Sequence, residues 1–108
     1  MQILGTDHPD TLAARNNLAS GYQSAGHFGR AIPLYERALT DSMRVLGNDH
    51  PDTLAFRTNL AHAYQAAGDL GRAIPLHESA MTDCIRVLGE DHPMTKAVRA
   101  NLDHLRSS

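Results

Sequence analysis

The chain has 108 residues, 42% hydrophobic and 20% charged, with a formal net charge of −2. A domain of this size buries roughly 65% of the surface that its unfolded chain exposes, so a stable core is possible, and the composition is not that of a disordered chain. The charge balance gives no basic footprint for nucleic acid and no polybasic patch for a membrane surface, and no apolar run is long enough to span a bilayer. Residues 1–3 lead into a Leu-Gly turn without the segments of a signal peptide, and the lone cysteine, Cys84, suits a reducing cytoplasm.

Leu4-Gly5-x-Asp7-His8-Pro9 returns as Leu46-Gly47-x-Asp49-His50-Pro51 and again as Leu88-Gly89-x-Asp91-His92-Pro93, a period of 42 residues. Residues 4–45 and 46–87 are identical at 29 of 42 positions, which chance does not produce. The period divides the chain into repeat one (6–47), repeat two (48–89) and a terminal helix (90–108). Each repeat reads as two helices. Pro9, Pro51 and Pro93 suit the first helical position, where a missing N–H costs nothing. His8, His50 and His92 are kept out of the α region by the following proline and serve as N-caps. Leu12, Leu18, Ala19, Tyr22 and Ala25 follow at helical spacing, and Gly26 and Gly68 end the first helices.

The second helices start after His27 and Asp69 and end at Gly47 and Gly89. Their apolar positions include Phe28, Ala31, Ile32, Tyr35 and Ala38 in repeat one, and Leu70, Ala73, Ile74, His77 and Ala80 in repeat two. Pro33 and Pro75 oppose this reading, because a proline inside a helix deletes a hydrogen bond and clashes with the carbonyl four residues back. Two readings remain: Gly29 and Gly71 let the backbone yield to a mild kink, or the helix starts near Arg30 and Arg72.

Arg15, Leu18, Ala19 and Tyr22 on the first helix, with Ala31 and Tyr35 on the second, resemble the tetratricopeptide repeat pattern, and Arg57, Leu60, Ala61, Tyr64, Ala73 and His77 repeat it. The usual tetratricopeptide period is about 34. The longer unit, with Leu-Gly-x-Asp-His-Pro, Asn-x-Leu-Ala and Pro-Leu-x-Glu-x-Ala, looks like the kinesin light chain type. The resemblance implies an all-α, right-handed superhelical solenoid of antiparallel helix pairs, with two and a half repeats and five helices. Arg15, Arg57 and Arg99 depart from it, standing where the family often has a large apolar residue. Asp103 and Arg106 make the last helix polar where its predecessors are apolar, as a capping helix requires.

The resemblance also implies a non-catalytic scaffold that binds a protein or extended peptide along a concave groove formed by the first helices. Leu18, Ala19 and Tyr22 are expected to face the partner helix. The groove face is then Ala13, Asn16, Asn17, Ser20, Gln23 and Ser24 in repeat one, Ala55, Thr58, Asn59, His62, Gln65 and Ala66 in repeat two, and Ala97, Ala100, Asn101 and His104 in the last helix. This face is polar, mostly uncharged and rich in amides. Asn17, Asn59 and Asn101 form a series, and an amide can meet an extended backbone with both donor and acceptor. In the related family equivalent asparagines contact bound peptide; the alternatives are a bond to the neighbouring helix and plain inheritance of the repeat. No groove lysine or arginine is present, so no clamp for a terminal carboxylate is expected.

Other chemistry finds little support. The repeated His8, His50 and His92 stand about 10 Å apart, too far to share one ion. His62 and His104 lack a third ligand. Cys84 matches Ser42 and reads as a partly buried filler. Asp41 and Asp83 read as a solvated face pairing with Arg44 and Arg86. No catalytic motif, metal or cofactor is expected, and no nucleic-acid or membrane partner. Ile3-Leu4-Gly5 matches the end of a second helix, so the chain reads as a piece of a longer array. Its exposed repeat edges then suggest a second role, as a homo-oligomer that stacks end to end or exchanges helices.

Overall fold

Five helices follow one another: α1 (Pro9–Ser24), α2 (Phe28–Val45), α3 (Pro51–Ala66), α4 (Leu70–Leu88) and α5 (Pro93–Arg106). The computed structural model describes residues 9–107, with side chains from residue 11, and these residues contain no strand. The fold is an all-α helical-repeat solenoid. Each helix packs chiefly on its neighbours in sequence, α1 on α2, α2 on α3, α3 on α4 and α4 on α5.

The helix boundaries follow from the predicted caps. The Nδ1 atoms of His50 and His92 accept hydrogen bonds from the backbone N–H groups of Asp52 and Met94, each at 3.0 Å, and Pro51 and Pro93 occupy the first turn. His8 lies outside the described residues. The Asp69 carboxylate accepts from the Arg72 N–H at 3.2 Å, whereas His27 in the matching place makes no side-chain cap bond. At the exits, Gly26 and Gly68 adopt φ of +82° and +84°, which an L side chain resists. The N–H groups of His27 and Asp69 then close on the Tyr22 and Tyr64 carbonyls at 2.8 Å.

Both second helices run through their prolines. They begin at Phe28 and Leu70, so the later start near Arg30 and Arg72 does not occur. Pro33, Pro75, Gly29 and Gly71 are all exposed, so water can satisfy the carbonyl that loses its partner.

The core is a run of small and aliphatic contacts. Leu12, Ala19, Ala31, Tyr35, Leu39, Phe56, Leu60 and Ala73 belong to one cluster spanning α1 to α4, and Leu54, Ala80, Cys84 and Val98 form a second between α3, α4 and α5. Abundant alanine lets the helices approach closely; Ala19, Ala31, Ala38, Ala61, Ala73 and Ala80 are fully buried.

Two expectations fail here. Leu18 does not face the partner helix: it is 53% exposed, while its counterparts Leu60 and Leu102 are buried at 5% and 0%. This position packs on the preceding repeat, and no helix precedes α1 among the described residues. Asp41 and Asp83 are not merely a solvated face. They receive Arg15, at 2.6 Å, and Arg57, and these ion pairs tie the first helix of each repeat to the second. Arg44 and Arg86 add weaker contacts, at 3.5 and 3.2 Å. Arg15 and Arg57, which depart from the family pattern, are thus explained, because each has a carboxylate across the helix pair. Arg99, with no sixth helix among the described residues to offer an aspartate, reaches Glu90 at 3.5 Å.

Candidate binding groove

Three helices enclose a depression of about 370 Å³, lined by Ser20, Gln23 and Ser24 of α1, Phe28 and Tyr35 of α2, and Asn59, His62 and Ala66 of α3. Ser20, Gln23, Ser24, Asn59, His62 and Ala66 were expected on the groove from the sequence, and the fold brings these six together. No lining side chain carries a formal charge at neutral imidazole.

Hydrogen bonds fix much of the wall. The buried Tyr35 hydroxyl donates to Gln23 Oε1 at 2.8 Å. That leaves the Gln23 amide nitrogen turned toward His62 Nδ1, at 3.5 Å. Burial pushes the Tyr35 phenol above its ordinary range, and a hydrogen bond with Ser20 works against that shift. Asn59 donates to Asn16 Oδ1 on the neighbouring helix at 3.3 Å, keeping its own carbonyl oxygen for another partner.

The next step along the groove differs. There the Tyr35 position holds His77, which is completely buried. Its Nε2 meets Gln65 Oε1 at 3.2 Å. An amide oxygen can only accept, so Nε2 carries the proton and Nδ1 is bare, buried and without a partner. Burial, with a smaller contribution from His62, holds the His77 pKa below its ordinary value. Leu70 replaces Phe28 and is 42% exposed.

The remaining expected positions are less uniform. Asn16, Thr58, Gln65 and Asn101 are half-buried, and Asn17, Ser20, His62 and His104 are exposed. The three repeated asparagines do not share one environment, and of them Asn59 alone lines the depression. Thr58 directs its hydroxyl to the Leu54 carbonyl of its own helix at 3.0 Å.

Sequence reasoning missed Phe28 and Tyr35 as groove residues, because an apolar or aromatic residue on a second helix reads as core. A signal was present. Of the five repeat-one lining residues, four change in repeat two (Ser20 to His62, Ser24 to Ala66, Phe28 to Leu70, Tyr35 to His77), although 29 of 42 positions agree overall.

Among the described residues no group of three or more His, Cys, Asp or Glu side chains could hold a metal ion, and no helix is long and apolar enough to cross a membrane. Cys84 is fully buried rather than partly so, and burial raises its thiol pKa, opposite to what a nucleophile needs.

Comparison with known proteins places this architecture. The tetratricopeptide repeat family matches twice in succession, over residues 11–52 and 53–93. A search of curated proteins finds no match. Among solved structures, two crystal structures of nearly identical TPR-like repeats from a Podosopora anserina protein assigned as a kinesin light chain superpose well. One, a single-substitution variant, is 31% identical with a TM-score of 0.80, over 94% of this chain and 48% of that one. The other is 33% identical with a TM-score of 0.77, over 92% of this chain and 47% of that one. The chain therefore spans about half the length of these relatives. By its repeats, its helix pairs and these matches, the chain belongs to the tetratricopeptide repeat family, with repeats of the kinesin light chain kind.

Proposed function

We propose that the chain is a non-catalytic scaffold that holds an extended polypeptide in the groove between α1, α2 and α3. One observation carries the reading. Four of the five repeat-one residues that line the depression have changed in repeat two, while most of the repeat has not. Framework positions repeat because every helix pair must pack in the same way. Groove positions that differ give successive steps different chemistry, as reading a partner of varied sequence requires.

The uncharged lining suits main-chain amides and neutral side chains, with Asn59, Gln23 and His62 offering polar contacts in the same depression as Tyr35 and Phe28. Asn101 and His104 would extend the track along α5. The absence of lysine and arginine from the lining argues against capture of a terminal carboxylate. A reducing cytoplasm is the compartment that best suits a chain whose one thiol is buried and unpaired.

The test is selection of displayed dodecapeptides against the chain, followed by titration of the winners. Binders should lose about tenfold or more with Asn59→Ala or Ser20→Arg and ignore Leu18→Glu. Failure to recover any binder, or recovery of binders blind to both groove variants, would overturn the reading. An acidic C-terminal pentapeptide should show no micromolar binding.

A further inference from the structure

Gln23 and Gln65, one repeat apart on the first helices, are held the same way round by two different side chains. In repeat one the Tyr35 hydroxyl on α2 donates to Gln23 Oε1 at 2.8 Å. A side-chain amide has one oxygen that accepts and one NH2 group that donates. With the oxygen committed to the phenol, the NH2 group is what Gln23 offers the groove. One of its hydrogens approaches His62 Nδ1, at 3.5 Å. That nitrogen accepts, so the proton of the neutral imidazole sits on Nε2 and adds a second donor to the same wall.

In repeat two a buried imidazole stands where the phenol was. His77 Nε2 donates to Gln65 Oε1 at 3.2 Å, and the second amide is turned as the first is. Tyr to His is one of the changes that set the two groove steps apart, yet it exchanges one ring donor for another, and both glutamines stay. His62 links the two steps: it meets Gln23, and it lies near enough to His77 to act on its protonation.

We infer that Gln23 and Gln65 grip carbonyl oxygens of the bound polypeptide, and that Tyr35 and His77 are positioning residues that keep the glutamine NH2 groups turned toward it. The inference rests on the groove reading above and names the chemistry that the groove recognises. A glutamine free to turn over offers a partner either end. A locked one rejects an N–H in the partner and accepts an oxygen, which makes the contact selective. The helices that carry the two amides lie side by side, since Asn59 of α3 reaches Asn16 of α1 at 3.3 Å. At ordinary helix spacing the amides stand roughly 10 Å apart, about three residues of an extended chain. The partner therefore presents carbonyl oxygens at two places about three residues apart, from its main chain or from its side chains.

The probe is the tightest dodecapeptide recovered in the selection above, titrated by calorimetry. Gln23→Glu keeps the size of the side chain and still accepts from Tyr35, but turns an oxygen to the groove where the NH2 group was. A loss of about tenfold or more is expected. Tyr35→Phe removes only the lock and should weaken binding several-fold with the parent circular dichroism retained. His77→Phe should act likewise at the second step, and His77→Tyr should restore the parent affinity, a rescue that ring packing alone does not give. Alanine and ester scans of the dodecapeptide separate the sources: an ester weakens a main-chain carbonyl as acceptor, and alanine removes a side-chain one. The sensitive position should lose its effect in Gln23→Glu, as a double-mutant cycle reads. Binding that is unchanged or tighter with Gln23→Glu, while Asn59→Ala still weakens it, overturns this inference and leaves the groove reading standing. Failure to recover any binder rejects both.

Discussion

Repeat one and repeat two carry much the same sequence, yet identical residues meet different fates. Leu18 lies in solvent while Leu60 is in the core. Tyr22 is half-buried under Arg30, while Tyr64 is buried and bonded to Glu36 across a repeat junction. The difference is the neighbour. In a solenoid a residue's contribution to stability belongs to the junction between repeats more than to the repeat itself.

That comparison can be broken most forcefully at its clearest pair. Leu60→Ala should cost about 3 kcal/mol in denaturant unfolding, from lost burial and the cavity left behind, while Leu18→Ala should fall within about 0.5 kcal/mol. Equal costs would mean that α1 is covered in solution. Next come the arginines. The Arg57 side chain is 8% exposed, against 40% for Arg99, and it holds Asp83. Arg57→Ala should cost about 2 kcal/mol, between the values for exposed and buried pairs, and Arg99→Ala less than about 0.5 kcal/mol.

Caps give a smaller contrast. His50→Ala removes the acceptor for the Asp52 N–H and should cost about 1 kcal/mol, while His27→Ala removes no cap bond and should be near neutral. The smallest effect separates Tyr35 from His77. Burial holds the His77 pKa in the folded chain below its value in the unfolded chain. The unfolded chain therefore binds the extra proton first as pH falls. The stability associated with neutral His77 is complete above the unfolded value and drains away as pH drops from there through the folded value. His77→Tyr, which places a phenol beside Gln65 as in repeat one, should flatten that part of the pH profile when thermal unfolding is followed between pH 7.5 and 5.

Much of the architecture was legible in the sequence. The period, the capping turns at His50 and His92 and the glycine exits at Gly26 and Gly68 are local signals, decided within a few residues. What escaped is non-local. Asp41 and Asp83 looked solvated because their partners lie 26 residues away and meet them only through the register of the helix pair. Leu18 looked like core because periodicity reports that a face is apolar, not which element covers it. Phe28 and Tyr35 were hidden in the groove wall for a related reason: a second helix packs one side of its aromatic positions and shows the other to the groove. Pro33 and Pro75 were ambiguous because a proline early in a helix costs little where its orphaned carbonyl is wet.

The sequential packing of α1 through α5 has a kinetic consequence. When each helix leans chiefly on the one before and the one after, few contacts require distant parts of the chain to meet, and the loop-closure cost that slows sheet proteins is small. Folding should be fast, on the order of milliseconds or less, and able to start at any helix pair. Amide exchange should then be slowest in α3, the middle of the five described helices, and quicken toward α1 and α5, so that this stretch opens from its ends like a short zipper.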